Sequence, residues 1–248
     1  MSETVEVPEP PEAAREVFTG EAWERAKAFA GMLAGPAVVR GLVGPREVPR
    51  LWDRHLLNCA VVGEAVPENA SVVDVGSGAG LPGLVLAIVR PDLSVTLLEP
   101  LLRRTVFLTE CVEGLGLDNV EVVRGRAEEL VGKAEFDVAT ARAVAPLERL
   151  VRWTLPLLRQ GGELIAMKGE RAEAELEEAE AQLRACGAET AELLQVGRGK
   201  VDPPATLVRV VAGRAPVAKS GAKRRSRQSD ETGQRRAGGT SPRGRRKR

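Results

Sequence analysis

A glycine-rich segment, residues 72–83 (VVDVGSGAGLPG), carries the residue types in this chain best suited to binding a small ligand. Gly76, Gly78 and Gly80 let the backbone turn sharply and approach a ligand closely, because glycine has no Cβ and tolerates positive φ. The helix expected to follow presents free N–H groups and the positive end of its dipole. Glu99 lies directly at the end of the next predicted strand, 94–98, where an acid in a doubly wound sheet reaches ribose hydroxyls. The pattern predicts a nucleoside cofactor.

Two classes of nucleoside cofactor use a turn of this kind. Residues 78–83 (GAGLPG) match the dinucleotide fingerprint G-x-G-x-x-G, which would make the chain an NAD-dependent oxidoreductase. The first predicted strand, however, ends at Val75, which places the turn two residues too early for that fingerprint. Asp74, just before the turn, suits the cationic ammonium group of a methionine and would repel a pyrophosphate. Both features favour S-adenosyl-L-methionine as the cofactor, and therefore a methyltransferase.

The sequence pattern after Asn69 predicts the strands and helices that position this turn. Short β-branched runs alternate with helical patterns, which predicts a mostly parallel sheet covered on both faces. Two final strands predict a hairpin, typical of the α/β class I methyltransferase fold, a Rossmann-like seven-stranded sheet. The predicted strands are 71–75, 94–98, 120–123, 136–140, 163–167, 190–196 and 205–211. The predicted helices are 81–89, 102–114, 127–131, 146–158 and 170–185.

The sequence divides into four parts. An acidic, proline-rich N-terminus without structure is expected at 1–11, followed by a helical extension at 12–66. Within the extension, helical spacing predicts an amphipathic helix over 12–33 with a break near Gly20, a connector over 35–45 and a second helical stretch from Pro45. The methyltransferase domain is expected at 67–213, and a disordered basic tail at 214–248.

Charge is distributed unevenly along the chain. The formal net charge is +1, but residues 214–248 contain 13 Lys and Arg residues against two acids, leaving 23 basic and 33 acidic residues in 1–213. The tail has almost no apolar residue after Val217 and cannot build a core, which predicts disorder. Such a cationic segment suits contact with RNA phosphates, although a merely solubilising tail would have the same composition.

Several classes of protein are disfavoured by composition. The first residues have no basic start and no apolar run, so they resemble neither a secretory signal nor a transit peptide. The longest apolar stretch, 84–89, is too short to span a bilayer. The three cysteines are widely spaced without a C-x-x-C pair, which suggests neither a metal site nor a disulfide framework. We expect a cytoplasmic protein that acts as a monomer, without a membrane partner.

The substrate class is inferred partly from motifs that the chain lacks. Enzymes that methylate exocyclic amines commonly carry Asn/Asp-Pro-Pro-aromatic after the fourth strand, where this chain has TARAVAP at 140–146. Pyrimidine C5 methylation needs a cysteine nucleophile, and no cysteine lies near the fourth or fifth strand in the sequence. A ring nitrogen with a free lone pair, such as guanine N7, needs neither feature and can react by positioning alone. These absences permit that acceptor without requiring it.

A set of motifs carries a more specific signal. It comprises VDVGSGAGLPGLVLAIVRPDLSVTLLEPLLRRTVFL, RHLLN at 54–58, ARAVAPL at 141–147 and AMKG at 166–169. Together they resemble the ribosomal small-subunit guanine-N7 methyltransferase family, also called glucose-inhibited division protein B, over 48–211. The family often has a Trp-Asn…Asn-Leu-Thr segment where this chain has GPAVVRGLVG at 35–44, so we expect no site contact from 35–44.

The resemblance implies both a substrate and a cofactor site. It implies methylation of N7 of a guanosine in 16S rRNA, in a loop of the small ribosomal subunit near the decoding site. The family's S-adenosyl-L-methionine contacts correspond to Gly76, Leu81, Ala127, Glu128 and Arg142. The adenine ring is expected beside Ala127 and Glu128. Arg142 is expected near the methyl group, where it would position the reactants without a general base, or else merely pair with Glu128 or Glu99.

Other conspicuous residues are expected to be structural. His55 is the only histidine, but it lies on an apolar helical side outside the predicted cofactor region, which favours a packed or hydrogen-bonded role. Trp23, Trp52 and Trp153 lie in helical patterns that predict core positions. Lys168 follows the fifth strand and could contact a phosphate or base. One non-enzymatic alternative stays open, an RNA-binding protein with a vestigial cofactor pocket.

Overall fold

A computed structural model describes residues 7–213 of the chain. The predicted disordered tail, 214–248, and the first six residues of the predicted acidic N-terminus lie outside the described residues. Among the described residues, no helix combines the length and apolar character that a membrane span would require.

Seven strands form one sheet in the order β3-β2-β1-β4-β5-β7-β6. Strands β1 to β5 run parallel, whereas β7 runs antiparallel to both of its neighbours. This order confirms the predicted class I methyltransferase sheet and its terminal hairpin. The strands are β1 Ser71–Val75, β2 Ser94–Glu99, β3 Val120–Arg124, β4 Phe136–Arg142, β5 Leu158–Lys168, β6 Ala188–Val196 and β7 Ala205–Ala212.

Helices precede the sheet and connect its parallel strands. The α-helices of the described residues are α1 Glu12–Val17, α2 Glu21–Met32, α3 Asn58–Ala60, α4 Gly83–Val89, α5 Leu102–Leu115, α6 Ala127–Leu130, α7 Leu147–Thr154, α8 Ala172–Glu178 and α9 Glu180–Ala185. Tighter 3₁₀ segments occur at Pro45–Arg50, Val61–Ala65 and Leu155–Leu157, and wider π-helical segments at Leu33–Ala37 and Leu51–Leu57.

Several predicted boundaries were wrong. The connector expected at 35–45 begins inside the helical segment Leu33–Ala37, which contains Pro36; a proline has no N–H and so interrupts regular α-helical hydrogen bonding. The helix expected over 170–185 is divided into α8 and α9 at the fully buried Ala179. Strand β4 continues to Arg142, so this residue ends the strand instead of following it. The predicted helix break at Gly20 is confirmed, since this glycine precedes α2 with a φ of 57°.

The strand order places a crevice at the carboxyl end of β1. From β1 the chain builds β2 and β3 on one side of the sheet and β4 and β5 on the other. The connections after β1 and β4 therefore diverge, and ligands of open α/β sheets bind at such a switch point. Both the glycine-rich turn after β1 and Arg142 at the end of β4 lie at this edge.

Two hydrophobic cores cover the two faces of the sheet. The N-terminal helical extension belongs to one of them, because Phe29, Leu51 and Leu56 share a buried cluster with Val72 of β1 and Leu84 of α4. The other cluster lies beneath α7, α8 and α9. The extension is therefore built into the core of the sheet and fixes its own residues relative to the crevice.

The start of α4 is packed closely against the sheet. Gly83 is fully enclosed, and a Cβ at this position would lie 2.6 Å from Asp74 Oδ2 and 2.8 Å from Asp74 Cβ, besides colliding with Leu97. Gly31 in α2 differs, because a Cβ there would meet no atom within 4 Å. Both glycines lie in helices, but only Gly31 has space for a side chain, so the two positions can be compared directly.

We expect Gly83→Ala to reduce the free energy of unfolding by about 1–3 kcal/mol, because the added methyl group forces Leu97 and Asp74 to move. Gly31→Ala should leave it unchanged or raise it by up to about 1 kcal/mol, because alanine favours the helix and nothing obstructs its methyl group. Urea unfolding of both variants measures the difference. Equal effects at the two positions would show that close packing at Gly83 does not constrain α4.

Candidate active site

The glycine-rich turn after β1 has the backbone that its glycines were predicted to provide. Gly76, Gly78 and Gly80 have φ values of 75°, 59° and 90°, a backbone region that residues other than glycine rarely adopt. The N–H groups of Gly76 and Ser77 both donate to Leu98 O at 2.8 and 3.2 Å, which fixes the turn to the end of β2.

A cavity of about 670 Å³ opens above this turn, within the size range of sites for small ligands. Its wall combines the glycine turn with residues from the ends of β2, β3 and β4. Seven of the eight predicted site residues line it, namely Gly76, Gly78, Leu81, Glu99, Ala127, Glu128 and Arg142. The structure therefore brings together residues that are up to 66 positions apart in the sequence.

Glu99 is the carboxylate at the end of β2. It is 1% exposed, and its Oε2 accepts the Gly78 N–H at 3.1 Å and an Arg104 N–H at 3.3 Å. Among residues 7–213, its Oε1 accepts only the Leu101 N–H, at 3.1 Å. Because a carboxylate offers about four acceptor positions, Glu99 retains capacity for a ligand hydroxyl. This spare acceptor in the cavity wall fits the ribose of a nucleoside.

Asp74 is the eighth predicted residue, and it does not line the cavity. Its carboxylate is 1% exposed, and Oδ2 accepts the Gly83 N–H at 3.0 Å, so it holds the first residue of α4. Its Oδ1 is buried without a hydrogen-bond partner among the described residues. Burial raises the pKa of Asp74 from 3.8 to about 7, against the opposing effect of the Gly83 N–H. Asp74 therefore holds the start of α4 from beneath the turn and is not part of the cavity wall.

Arg142 enters the cavity from the end of β4, held by neutral groups. Its Nη2 lies 2.6 Å from His55 Nδ1, and its Nη1 lies 3.2 Å from Cys59 Sγ. The alternative pairing with Glu128 or Glu99 is not seen. His55 itself lines the same cavity, so its expected position outside the cofactor region was wrong. The cause is the core shared by the helical extension and the sheet, which sequence spacing does not reveal.

Cys59 corrects a second expectation, because folding brings this cysteine to the end of the fourth strand. It is fully buried and does not line the cavity. Burial raises the pKa of its thiol, which outweighs the opposing effect of Arg142. A buried thiol held in its neutral form is not a nucleophile for pyrimidine C5 methylation. It serves here as a weak hydrogen-bond acceptor for Arg142.

The segment 35–44, from which no contact was expected, also contributes to the wall. Leu42, Val43 and Gly44 line the cavity together with residues of the glycine turn. The segment is fixed by backbone hydrogen bonds from Leu42 and Val43 to Ala37 O, at 2.8 and 3.4 Å. Its sequence gave no sign of this position, because the contact depends on how the extension packs on the sheet.

The remaining conspicuous residues have structural partners. Lys168 pairs with Glu175 at 2.7 Å and donates to Ala145 O at 3.0 Å, so it anchors the loop after β4 and does not line the cavity. Trp52 is buried and Trp23 stacks on it at 6.0 Å, in keeping with a core role. Trp153 is only half-buried and lines the cavity, which the helical pattern did not predict. Among residues 7–213, no cluster of three His, Cys, Asp or Glu side chains could hold a metal ion.

Comparison with known proteins identifies relatives over most of the chain. A family model described as "rRNA small subunit methyltransferase G" matches residues 22–202. A protein named ribosomal RNA small subunit methyltransferase G from Thermobifida fusca (strain YX) is 60% identical over 201 residues, covering 81% of this chain and 84% of the relative. One of the same name from Streptomyces coelicolor is 58% identical over 217 residues, covering 87% and 90%.

Solved structures resemble the chain in fold alone. A crystal structure of a methyltransferase from Pyrococcus furiosus matches with a TM-score of 0.50 and 15% identity, covering 64% of this chain and 83% of the other. This likeness agrees with the seven-stranded sheet described above.

The buried Asp74 gives stability a defined pH dependence. Its raised pKa means that ionisation disfavours the folded state, so the stability present below pH 3.8 is progressively lost as pH rises to about 7. Asp74→Asn removes this ionisation. We expect the stability of the variant relative to the parent to improve by about 2–3 kcal/mol between pH 5 and pH 8, at about 1.4 kcal/mol per pKa unit.

Asp137→Asn is the matched control. Hydrogen bonds from the Ser71 N–H and hydroxyl lower the pKa of Asp137, so its stabilising ionisation is lost only as pH falls below 3.8. The gap between this variant and the parent should stay constant from pH 5 to pH 8 in urea unfolding. A constant gap for Asp74→Asn as well would contradict the assignment of Asp74 as a buried acid.

Proposed function

This chain belongs to the rRNA small subunit methyltransferase G family, and we propose that it transfers the methyl group of S-adenosyl-L-methionine to N7 of a guanosine in 16S rRNA. The observation that supports it most is family membership over residues 22–202, which include the whole cavity wall. The chain is a methyltransferase whose cofactor is S-adenosylmethionine, which excludes the NAD-dependent alternative. The atom N7 and the particular guanosine are the finer part of the proposal.

The residues of the cavity fit this cofactor. Gly76 must lack a side chain, because a Cβ there would lie 2.9 Å from a methyl group of Val144 in the same cavity wall. We place the ribose hydroxyls at Glu99 and the adenine against Ala127 and Glu128, with Leu81 and Arg142 nearer the methionine. When bound, S-adenosylmethionine supplies an electrophilic methyl group on a sulfonium.

The protein's own part in the reaction is to bind and orient. Guanine N7 carries its lone pair in the plane of the ring and loses no proton on methylation, so no general base is needed. Burial and the neighbouring Arg142 lower the pKa of His55, which keeps its imidazole neutral near pH 7. Holding the two reactants in line at short distance can supply much of the rate acceleration.

Transfer of labelled methyl tests this proposal. We expect label from S-adenosylmethionine to enter 16S rRNA of small subunits that lack the modification, and nuclease digestion to yield N7-methylguanosine. Binding of S-adenosylmethionine and of NAD, compared by calorimetry, provides the cofactor control. Cofactor binding without transfer to either subunits or naked rRNA would contradict the proposal and favour an RNA-binding protein with a vestigial pocket.

The basic tail is proposed to contribute to substrate binding. Residues 214–248 lie outside the described residues, but their sequence carries 13 basic and two acidic residues, while 1–213 is acidic overall. An acidic body repels RNA phosphates, so attraction from a cationic segment of the same chain would offset that repulsion. We also propose that the protein acts as a monomer in the cytoplasm, a reducing compartment that agrees with its free cysteines.

Removal of residues 214–248 should weaken rRNA binding and flatten its dependence on salt, because each phosphate contact contributes about −0.7 to −0.9 to the slope of log K against log salt. Cofactor affinity should stay unchanged, since every cavity residue lies within 42–153. Filter binding of 16S rRNA between 50 and 200 mM salt measures the slope. An unchanged slope after truncation would show that the tail does not contact the RNA.

A further inference from the structure

A line of hydrogen bonds crosses one wall of the cavity, from Glu47 through His55 to Arg142. Glu47 Oε2 lies 2.8 Å from His55 Nε2, and Arg142 Nη2 lies 2.6 Å from His55 Nδ1. A guanidinium can only donate, so Nδ1 must accept and cannot carry the proton. The ring proton therefore lies on Nε2, which donates to Glu47. The two neighbours of His55 select one tautomer of the neutral imidazole.

The partners of Arg142 leave its charge without a direct counterion. His55 accepts from one terminal nitrogen and the buried Cys59 thiol from the other, and both partners are neutral. None of the ion pairs found among residues 7–213 includes Arg142. Its positive charge at the end of β4 is thus available to a negative or electron-rich group of a ligand.

Glu47 is the nearby carboxylate that could otherwise neutralise Arg142. The imidazole separates the two, and Glu47 is occupied by His55 at 2.8 Å and by Arg54 at 3.7 Å. Hydrogen bonding from His55 lowers the pKa of Glu47, which keeps it an ionised acceptor for Nε2–H. Glu47 therefore orients the imidazole of His55, and the imidazole in turn orients the guanidinium of Arg142. The ring also keeps the two charges apart.

We propose that His55 is the positioning residue of this active site, which holds the Arg142 guanidinium toward the ligand through its Nδ1 lone pair. The assignment rests on the proposed methyl transfer and adds to it the residue that orients Arg142. His55 lies in Leu51–Leu57, Glu47 in Pro45–Arg50 and Arg142 in β4, so three separate elements converge. This gives the helical extension a defined part in the chemistry of the sheet edge.

Two amide substitutions separate the two hydrogen bonds of His55. In His55→Asn, the side-chain oxygen occupies the position of Nδ1 and can still accept from Arg142. In His55→Gln, the amide nitrogen occupies the position of Nε2 and can still donate to Glu47, but nothing is presented to Arg142. We expect kcat/KM for methyl transfer to fall about 10- to 100-fold in His55→Gln, the range expected of a displaced catalytic group, and only a few-fold in His55→Asn. Asp53→Asn, an exposed change to an amide on the same segment, is the control for substitution in this segment and should be unaffected.

The double variant tests whether His55 acts through Arg142. Arg142→Gln should lose activity at least as strongly as His55→Gln, and the pair His55→Gln with Arg142→Gln should lose no more than Arg142→Gln alone. Independent multiplication of the two losses would overturn the proposal. Equal losses in His55→Asn and His55→Gln would also overturn it, because they would indicate a packing role only.

Glu47→Ala tests the proposal independently, in case a His55 variant fails to fold. It leaves the imidazole in place but removes the acceptor that selects the Nε2–H tautomer, so we expect a several-fold loss of kcat/KM at an unchanged urea midpoint. Full activity in Glu47→Ala, with His55→Gln unfolded, would overturn the proposal.

Cofactor affinity separates this inference from the proposed function. If the parent protein binds S-adenosylmethionine but transfers no methyl group to rRNA, the proposed function fails and calorimetry decides the role of His55. Weaker cofactor binding in His55→Gln than in His55→Asn would then support positioning of Arg142, and equal binding in the two would overturn it.

Discussion

The hydrogen bond from the Gly83 N–H to the buried Asp74 carboxylate is the constraint on which the site depends. It ties the first residue of α4 to the penultimate residue of β1, with no space for a side chain between them. Between these two points the chain crosses from strand to helix through Gly76, Gly78 and Gly80, all at positive φ, which glycine tolerates. The turn that results forms part of the cavity wall, through Gly76 and Gly78.

Most of the sheet could be predicted from the sequence, because strands buried on both faces read as short β-branched runs. The bounds of β1 agree with the prediction at both ends, and those of β2 differ by one residue at Glu99. The cavity residues of the strand ends were equally predictable, since the carboxyl ends of parallel strands meet at one edge. The sequence pattern did not predict that β4 continues to Arg142, because pairing with β5 extends this strand beyond its β-branched run.

The part of the cavity wall that the helical extension forms could not be predicted, and the reason is physical. Leu42, Val43 and His55 reach the cavity only because the extension packs its apolar face onto the sheet through residues such as Phe29 and Leu56. Helical periodicity shows that such a face exists but not which part of the core it covers. The segment also departs from regular α-helix at Leu33–Ala37 and Leu51–Leu57, which changes which side chains share a face.

The two walls differ in electrostatic character, and this difference suits a reaction that only moves a methyl group. On the sheet side, Asp74 is buried beneath the turn, and Glu99 accepts the N–H groups of Gly78 and Leu101. On the extension side, the neutral His55 keeps Glu47 apart from Arg142. A sulfonium that becomes a thioether loses its charge during the reaction, so strong anionic contacts at the methyl group would favour the reactant over the transition state. The hydrogen bonds that hold Asp74, Glu99 and Glu47 limit that penalty, because each draws a carboxylate toward a protein partner.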